Sequence, residues 1–221
     1  MKTVSISDFK YSRLPEHEVI RRILSGEKEL YEILMRRNNQ KLFRVIRGYL
    51  MDQNEIEDIM QDTYLTGYEK LWQYRQNAQF STWLIRIGIN HALAFIKKKS
   101  TLKVITTESL NDDKPVEIKD ENQPGPEHRM MQNETKKILE QAIGNLDEKY
   151  RSIYIMREIE EMSIAEISDC TGLSGSNVKV RLHRAKSMIR NNLYSLSYNK
   201  ELFEFGFSKC DRLVERVLSS I

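Results

Sequence analysis

The sequence predicts an all-α fold: two helical domains joined by an acidic linker, with a helix-turn-helix in the second. Three observations predict it. Apolar residues recur at helical period along most of the 221 residues, only nine glycines and four prolines interrupt them, and no sustained alternating run marks a strand. From 101 to 127 the composition changes: seven acids stand against three lysines, and Pro115, Pro124, Gly125 and Pro126 block regular structure. From 163 to 192 the chain reads as two capped helices around a turn.

In chain order, 1–15 is polar and ends at Pro15, where a helical pattern begins. A short helix over 16–24 carries Val19, Ile20, Ile23 and Leu24, and Ser25-Gly26 breaks it. A longer helix over 27–50 places Leu30, Ile33, Leu34, Leu42, Val45, Ile46 and Tyr49 on its buried stripe, with Arg36, Arg37, Lys41, Arg44 and Arg47 largely opposite. Asn54 caps a third helix running to Trp72, with Glu57 at the capping-box position. Its expected core side is Ile56, Ile59, Met60, Tyr64, Leu65 and Tyr68. Glu55, Asp58 and Asp62, with Gln61 beside them, form an acidic ridge suited to a basic partner surface, or simply a solvated helix face.

The loop Tyr74-Arg75-Gln76-Asn77-Ala78-Gln79 follows, then an apolar helix from Ser81 or Thr82 to Lys97-Lys98-Lys99, whose cations complement the helix dipole. Trp83, Leu84, Ile87, His91, Leu93 or Ala94 and Phe95 make this helix apolar along much of its length. Aromatics beside a polar loop and a basic helix suit single-stranded nucleic acid, where bases stack and phosphates find cations. Trp83 itself reads as core, and the lone His91 as a packed histidine. Past the linker, one helix covers 134–143, Asp147 caps another over 148–160 with Ile153, Met156 and Ile159 inward, and the helix-turn-helix follows.

In that motif Ser163 and Glu166 make a capping box, with Ile164, Ala165 and Ile167 inward. Gly172 takes the turn and Ser174 caps the second helix. Val178, Leu182, Ala185 and Ile189 form one apolar stripe. The other side shows Ser176, Asn177, Lys179, Val180, His183, Arg184, Lys186 and Arg190, with no acid. A helix placed only for stability mixes signs to form i,i+4 pairs, so this side fits a recognition helix in a DNA major groove. A helical hairpin with a solvated basic face is the competing reading.

The composition narrows the function further. Net charge is only +3, so any nucleic-acid footprint lies in clusters rather than in the whole-molecule field. The two cysteines, Cys170 and Cys210, make neither a metal spacing nor a disulfide framework, and read as reduced, packed thiols. No apolar run reaches the length of a membrane span, and the N-terminus lacks the apolar stretch of a signal peptide, so a cytoplasmic protein is expected. No nucleophile–base pair or metal cluster stands out, so no catalytic residue, metal ligand or cofactor is expected. The tail 196–221, with Cys210, Leu213, Val214, Val217, Leu218 and Ile221 at helical spacing, is expected to bury itself against something.

The stretch LDEKYRSIYIMREIEEMSIAEISDCTGLSGSNVKVRLHRAKSMIR resembles the C-terminal DNA-binding domain of bacterial RNA polymerase sigma factors of the extracytoplasmic-function class. EIEDIMQDTYLTGYEKLW resembles the family's polymerase-binding helix, and FSTWLIRIGINHALAFIKKK its promoter-melting helix. The resemblance implies a region 2 domain over 1–100, the linker 101–127, a region 4 domain over 128–195 and a tail over 196–221. It implies that Asp58, Gln61 and Asp62 contact the clamp helices of the largest polymerase subunit, and that the polymerase flap is a second contact. Tyr74, Arg75, Gln76, Asn77 and Gln79 match the segment that captures a base flipped from the minus-ten element. Arg86, Asn90 and Lys97 match positions near the separated strand. Ser176, Asn177, Lys179, Val180, His183 and Arg184 match the face that reads the minus-thirty-five element, with Lys186 and Arg190 on phosphates. Val180 stands where many relatives carry a small polar residue, which replaces a hydrogen bond with an apolar contact to a thymine methyl. The resemblance also implies promoter DNA and core polymerase as partners, an anti-sigma protein as regulator, and a free form with its two domains packed together. A free-standing helix-turn-helix regulator and a non-reading adaptor are the alternatives.

Overall fold

The computed structural model describes the backbone of residues 14–75, 78–105 and 126–197, and the side chains of 14–75, 78–101 and 135–193. Among them the secondary structure is helical throughout: α1 (Glu16–Leu24), α2 (Tyr31–Arg47), α3 (Gln53–Glu69), α4 (Phe80–Ile105), α5 (Pro126–Gly144), α6 (Glu148–Tyr154), α7 (Ile164–Thr171) and α8 (Gly175–Ser197).

The expected helix over 27–50 is shorter. Lys28–Leu30 is a single 3-10 turn, and α2 ends at Arg47, where Gly48 donates back to Arg44 and Val45. Its apolar stripe is as expected, with Leu34, Val45 and Ile46 fully buried. Asp52, not Asn54, caps α3: its carboxylate accepts from the amides of Asn54 and Glu55 at 2.9 and 3.0 Å. Glu57 is no capping-box partner and instead accepts from the Gln53 amide nitrogen at 2.7 Å. α3 stops at Glu69, and Leu71–Gln73 is a 3-10 turn.

Two residues assigned to the α3 core side lie outside it, Leu65 at 56% and Tyr68 at 41% exposure. The buried stripe runs through Ile56, Ile59, Thr63, Tyr64 and Gly67. Thr63 and Gly67 look too polar or too small for a core. Thr63 donates its hydroxyl to the Ile59 carbonyl at 2.6 Å, and Gly67 makes room for Leu84 and the Tyr31 hydroxyl. Two tyrosines tie α2 to α3, with Tyr31 donating to the Tyr64 carbonyl at 2.8 Å and Tyr64 to the Met35 carbonyl at 3.1 Å.

α4 starts at Phe80, whose amide donates to the Glu16 carboxylate at 3.2 Å, so α1 satisfies one free amide of α4. The helix continues past the lysines to Ile105. Its buried side is Phe80, Leu84, Ile85, Ile89 and Ala92, whereas Leu93 and Ala94 are exposed. α5 begins at Pro126, eight residues before the expected start at 134; proline is tolerated in a first helical turn, where its missing amide hydrogen has no intrahelical role.

The expected helix over 148–160 divides into α6 and a π-helical turn over Ile155–Ile159. The turn closes with Glu161 at φ 54° and the Met162 amide donating to the Met156 carbonyl at 3.0 Å, the six-to-one bond of a Schellman end. Ile153 and Met156 are buried, but Ile159 is 39% exposed, because the wider turn rotates it outward.

Residues 14–105 and 146–187 together form one compact unit, and 126–145 with 188–197 a second, so α8 passes from one to the other. The first unit has a continuous apolar core in which Leu42, Val45, Ile46, Leu84 and Ile85 are grouped with Ile153, Met156, Met162, Ile167, Cys170 and Val178. The polymerase-binding and helix-turn-helix segments are thus packed on each other. In the second unit Ala142, Ile143 and Ile189 are buried, and Asn192 donates to the Ala142 carbonyl at 3.2 Å. Gln76, Asn77, most of the acidic linker, Cys210 and the tail lie outside the described residues.

Candidate nucleic-acid interface

The helix-turn-helix is built by its caps. Ser163 Oγ accepts from the Glu166 amide at 3.1 Å while the Glu166 carboxylate accepts from the Ser163 amide at 2.8 Å, as a capping box requires. Gly172 takes φ 71°, a conformation costly for residues with a Cβ, and donates to the Ser168 carbonyl at 2.8 Å. Ser174 Oγ then accepts from the Asn177 amide at 3.3 Å and opens α8. Val178, Ala185 and Ile189 are buried, and Leu182 partly so. In α7 the inward set is Ile167 and Cys170; Ala165 is exposed, being a quarter turn off the stripe.

Every residue expected to read or hold duplex DNA is exposed: Ser176, Asn177, Lys179, Val180, His183, Arg184, Lys186 and Arg190. Spacings of three and four place them along one side of α8. One acid reaches this side from elsewhere in the chain: Glu158, on the π turn, pairs with Lys186 at 2.9 Å. Sequence reading passed over Arg181. Its Nε donates to the Asn177 side-chain oxygen at 3.1 Å, which holds the Asn177 amide in one orientation. An arginine four residues after an asparagine in a helix was the available signal.

The second cluster lies at the start of α4. Tyr74 is half-buried, with its ring centroid 5.6 Å from those of Phe80 and Trp83, and its hydroxyl donates to the Ala78 carbonyl at 2.6 Å. This aromatic group braces the loop from inside, and burial raises the Tyr74 phenol pKa. Arg75 and Gln79 are exposed. Arg86, Asn90, Leu93 and Lys97 follow at intervals of four, three and four residues, one exposed stripe along α4. His91 is partly buried, 3.1 Å from the Thr66 hydroxyl, as a packed histidine.

On α3, Asp58, Gln61 and Asp62 are exposed, and among the described residues none makes an ion pair. Glu55 differs from them, since Lys99 pairs with it at 2.6 Å. Exposed Leu65 lies three and four residues on from Asp62 and Gln61, so the ridge carries an apolar side chain at its middle. Among the described residues no three His, Cys, Asp or Glu side chains are grouped to hold a metal, and no helix is long and apolar enough to cross a membrane.

Comparison with known proteins places these clusters. Residues 34–101 match the family described as Sigma-70 region 2, and 136–189 the family described as Sigma-70, region 4. The chain is 27% identical over 191 residues to the ECF RNA polymerase sigma-E factor of Haemophilus influenzae, covering 83% of this chain and 98% of the relative. It is 26% identical over 179 residues to the ECF RNA polymerase sigma factor SigW of Bacillus subtilis, covering 80% and 96%. In fold it is similar to the sigma factor RpoE of Bartonella quintana, solved with the anti-sigma factor NepR, at TM-score 0.62 and 15% identity over 74% of this chain and 96% of that one. It is also similar to CnrH, solved with the cytosolic domain of CnrY, at TM-score 0.54 and 20% identity over 80% and 96%.

Proposed function

The chain belongs to the extracytoplasmic-function class of bacterial RNA polymerase sigma factors, and we propose how its residues divide the work of promoter-specific initiation. Residues 1–100 form the module that binds polymerase and opens the minus-ten element, 101–127 the linker, 128–195 the module that reads the minus-thirty-five element, and 196–221 a tail. Asp58, Gln61 and Asp62 meet basic side chains of the polymerase clamp helices, and the helix-turn-helix module meets the flap. Ser176, Asn177, Lys179, His183 and Arg184 read duplex DNA in the major groove, with Val180 against a thymine methyl and Lys186 on phosphate. Tyr74, Arg75, Gln76, Asn77 and Gln79 receive the flipped base, while Arg86, Asn90 and Lys97 follow the separated strand.

Unstacking one base costs a few kcal/mol, which pocket contacts and stacking must offset. Bond formation and its metal belong to the polymerase; this chain contributes position and specificity, and working beside the polymerase makes it cytoplasmic. An anti-sigma protein is the expected regulator, the kind of partner with which a structural relative was solved. The observation that supports this division most directly is the capped helix-turn-helix whose polar, basic side is exposed along α8.

Run-off transcription on fragmented genomic DNA, with core polymerase and this protein, tests it. New start sites that require the protein are expected. His183→Ala with Arg184→Ala is expected to abolish promoter selection while polymerase binding persists, and Asp58→Arg with Asp62→Arg to do the reverse. Selective starts retained by the first pair, or unchanged polymerase affinity in the second, would refute the corresponding assignment. Tight binding to a palindromic duplex without polymerase would favour a free-standing regulator instead.

A further inference from the structure

We infer that the free protein is held shut by a joint at the C-terminal end of α2 and the start of α4, with Gly48 as its point of closest approach. The joint rests on contacts between segments far apart in sequence. Arg151, 7% exposed at the start of the helix-turn-helix module, donates its Nε to the Gly48 carbonyl at 3.1 Å. Ser152 beside it is 2% exposed and hydrogen-bonds the Tyr49 phenol. At Gly48 an added Cβ would come within 2.8 Å of the Ser152 Cα, a backbone atom that no rotamer change can move. Glu160 pairs with Arg44 at 3.0 Å. At α4, the buried Thr82 hydroxyl donates to the Glu166 carboxylate at 3.2 Å, and the Cys170 thiol to the Thr82 carbonyl at 3.4 Å. Two helices of the second module are thus seated on two helices of the first.

This closed form leaves the α8 reading side and the α3 ridge exposed, so it does not work by covering them. It works by distance. Elements named minus ten and minus thirty-five lie about 25 base pairs apart, or about 85 Å along B-form DNA. A helical module of roughly 100 residues is about 35 Å across. Two modules in contact fall short of the required span even if their reading surfaces lie at opposite ends, where they could not face one duplex. The segment between Ile105 and Pro126 can reach roughly 70 Å when extended, so the tether permits the opening that reading both elements demands. The inference rests on the sigma-factor reading for its purpose, but its geometry is independent of that reading.

The test uses the full chain with Cys210→Ser and spin labels at Asn39→Cys and Ser187→Cys, both exposed positions outside the proposed interfaces. Buried Cys170, its thiol pushed up to about 12 chiefly by desolvation, stays unlabelled. The distance between labels in the free protein should form one short population. Gly48→Ala should shift it to longer distances, since φ −63° at Gly48 suits alanine and only the approach of Ser152 is disturbed. Arg44→Glu should do the same, and adding Glu160→Arg should restore the short population, which controls for misfolding. If at least about nine-tenths of the wild type is closed, either opened variant should bind core polymerase about 10-fold tighter or more. A long distance in the wild type, or unchanged distances in both opened variants, would overturn the inference. Shifted distances without polymerase binding in any variant would leave the joint standing and sink the sigma-factor reading.

Discussion

Replacing Arg151 with methionine isolates the energetic weight of the joint. The guanidinium is buried and bonds two main-chain carbonyls, Gly48 at 3.1 Å and Leu146 at 3.0 Å. Desolvation lowers its pKa, yet the side chain has the strongest intrinsic preference for charge of any residue. Hydrogen bonds from a charged donor contribute about 1.5–3 kcal/mol each, and a buried carbonyl left unpaired costs about 1–3 kcal/mol. Methionine keeps an apolar stem of similar reach and removes the cost of burying a cation, which offsets part of the loss. A net destabilisation of about 3 kcal/mol is expected. For a cooperative unit of this size that is a fall of about 6–12 °C in Tm. Urea unfolding followed by circular dichroism should show a lower midpoint at unchanged m-value. Arg190→Met, on the exposed side of α8, is the control and should change stability by less than about 0.5 kcal/mol. Because Arg151 and Gly48 meet at one carbonyl, Arg151→Met and Gly48→Ala should be less than additive in combination. A loss under about 1 kcal/mol for Arg151→Met, or full additivity of the pair, would refute the reasoning.

The capping box should be legible in acid. Hydrogen bonds from the Ser163 amide and hydroxyl hold the Glu166 carboxyl below its ordinary 4.5, so its contribution is present above that value and is lost as pH falls through the lower folded one. Glu166→Gln should therefore be less stable than wild type near neutral pH and converge with it in strong acid; a constant difference at all pH would exclude the ionised cap. At the alkaline end, desolvation raises Tyr49 to about 12 and moves Tyr31 and Tyr64 up as well. Their folded values exceed the unfolded one, so stability should decline as pH rises from about 10, and phenolate absorbance should show these three of ten tyrosines titrating only with unfolding. Smooth titration of all ten in the folded state would contradict their burial.

What could be read from the chain depends on how local each feature is. The Ser163–Glu166 box spans four residues and was visible as written. The α8 stripe was also visible, because its apolar residues sit at unbroken helical spacing. The α3 start was misread by two positions, since Asp52 and Asn54 are both good caps and only the backbone turn at Asp52 selects one. Leu65 was assigned inward because it is apolar, but packing opposite α4 depended on the small Gly67 and the self-bonded Thr63. Arg151 and Gly48 carry no signal of their own. Each acquires a role only when segments about a hundred residues apart meet, and periodicity does not reach that far. The loop Tyr74–Gln79 was legible as aromatic and polar, but not that the Tyr74 ring turns inward onto Phe80 and Trp83.

The composition of the joint also bears on what can open it. Its thiol, Cys170, is buried with a pKa pushed to about 12, and so resists the oxidation that requires thiolate. Its phenol, Tyr49, is likewise displaced upward, and its capping carboxylate, Glu166, downward, so both move away from neutral pH. No histidine takes part in the contacts that hold it: His91 faces Thr66 and His183 lies on the exposed side of α8. Neither a redox change nor a physiological shift in pH acts on these groups. What remains is binding energy, since a partner that prefers the open arrangement shifts the population by its differential affinity for the two states. Core polymerase has that preference if its contacts for the two modules lie far apart. A protein that binds across the closed joint has the opposite one. Activation and inhibition then become opposite shifts of a single equilibrium, and the residues that set its position are Gly48, Arg44, Arg151 and Thr82 rather than any that touch DNA.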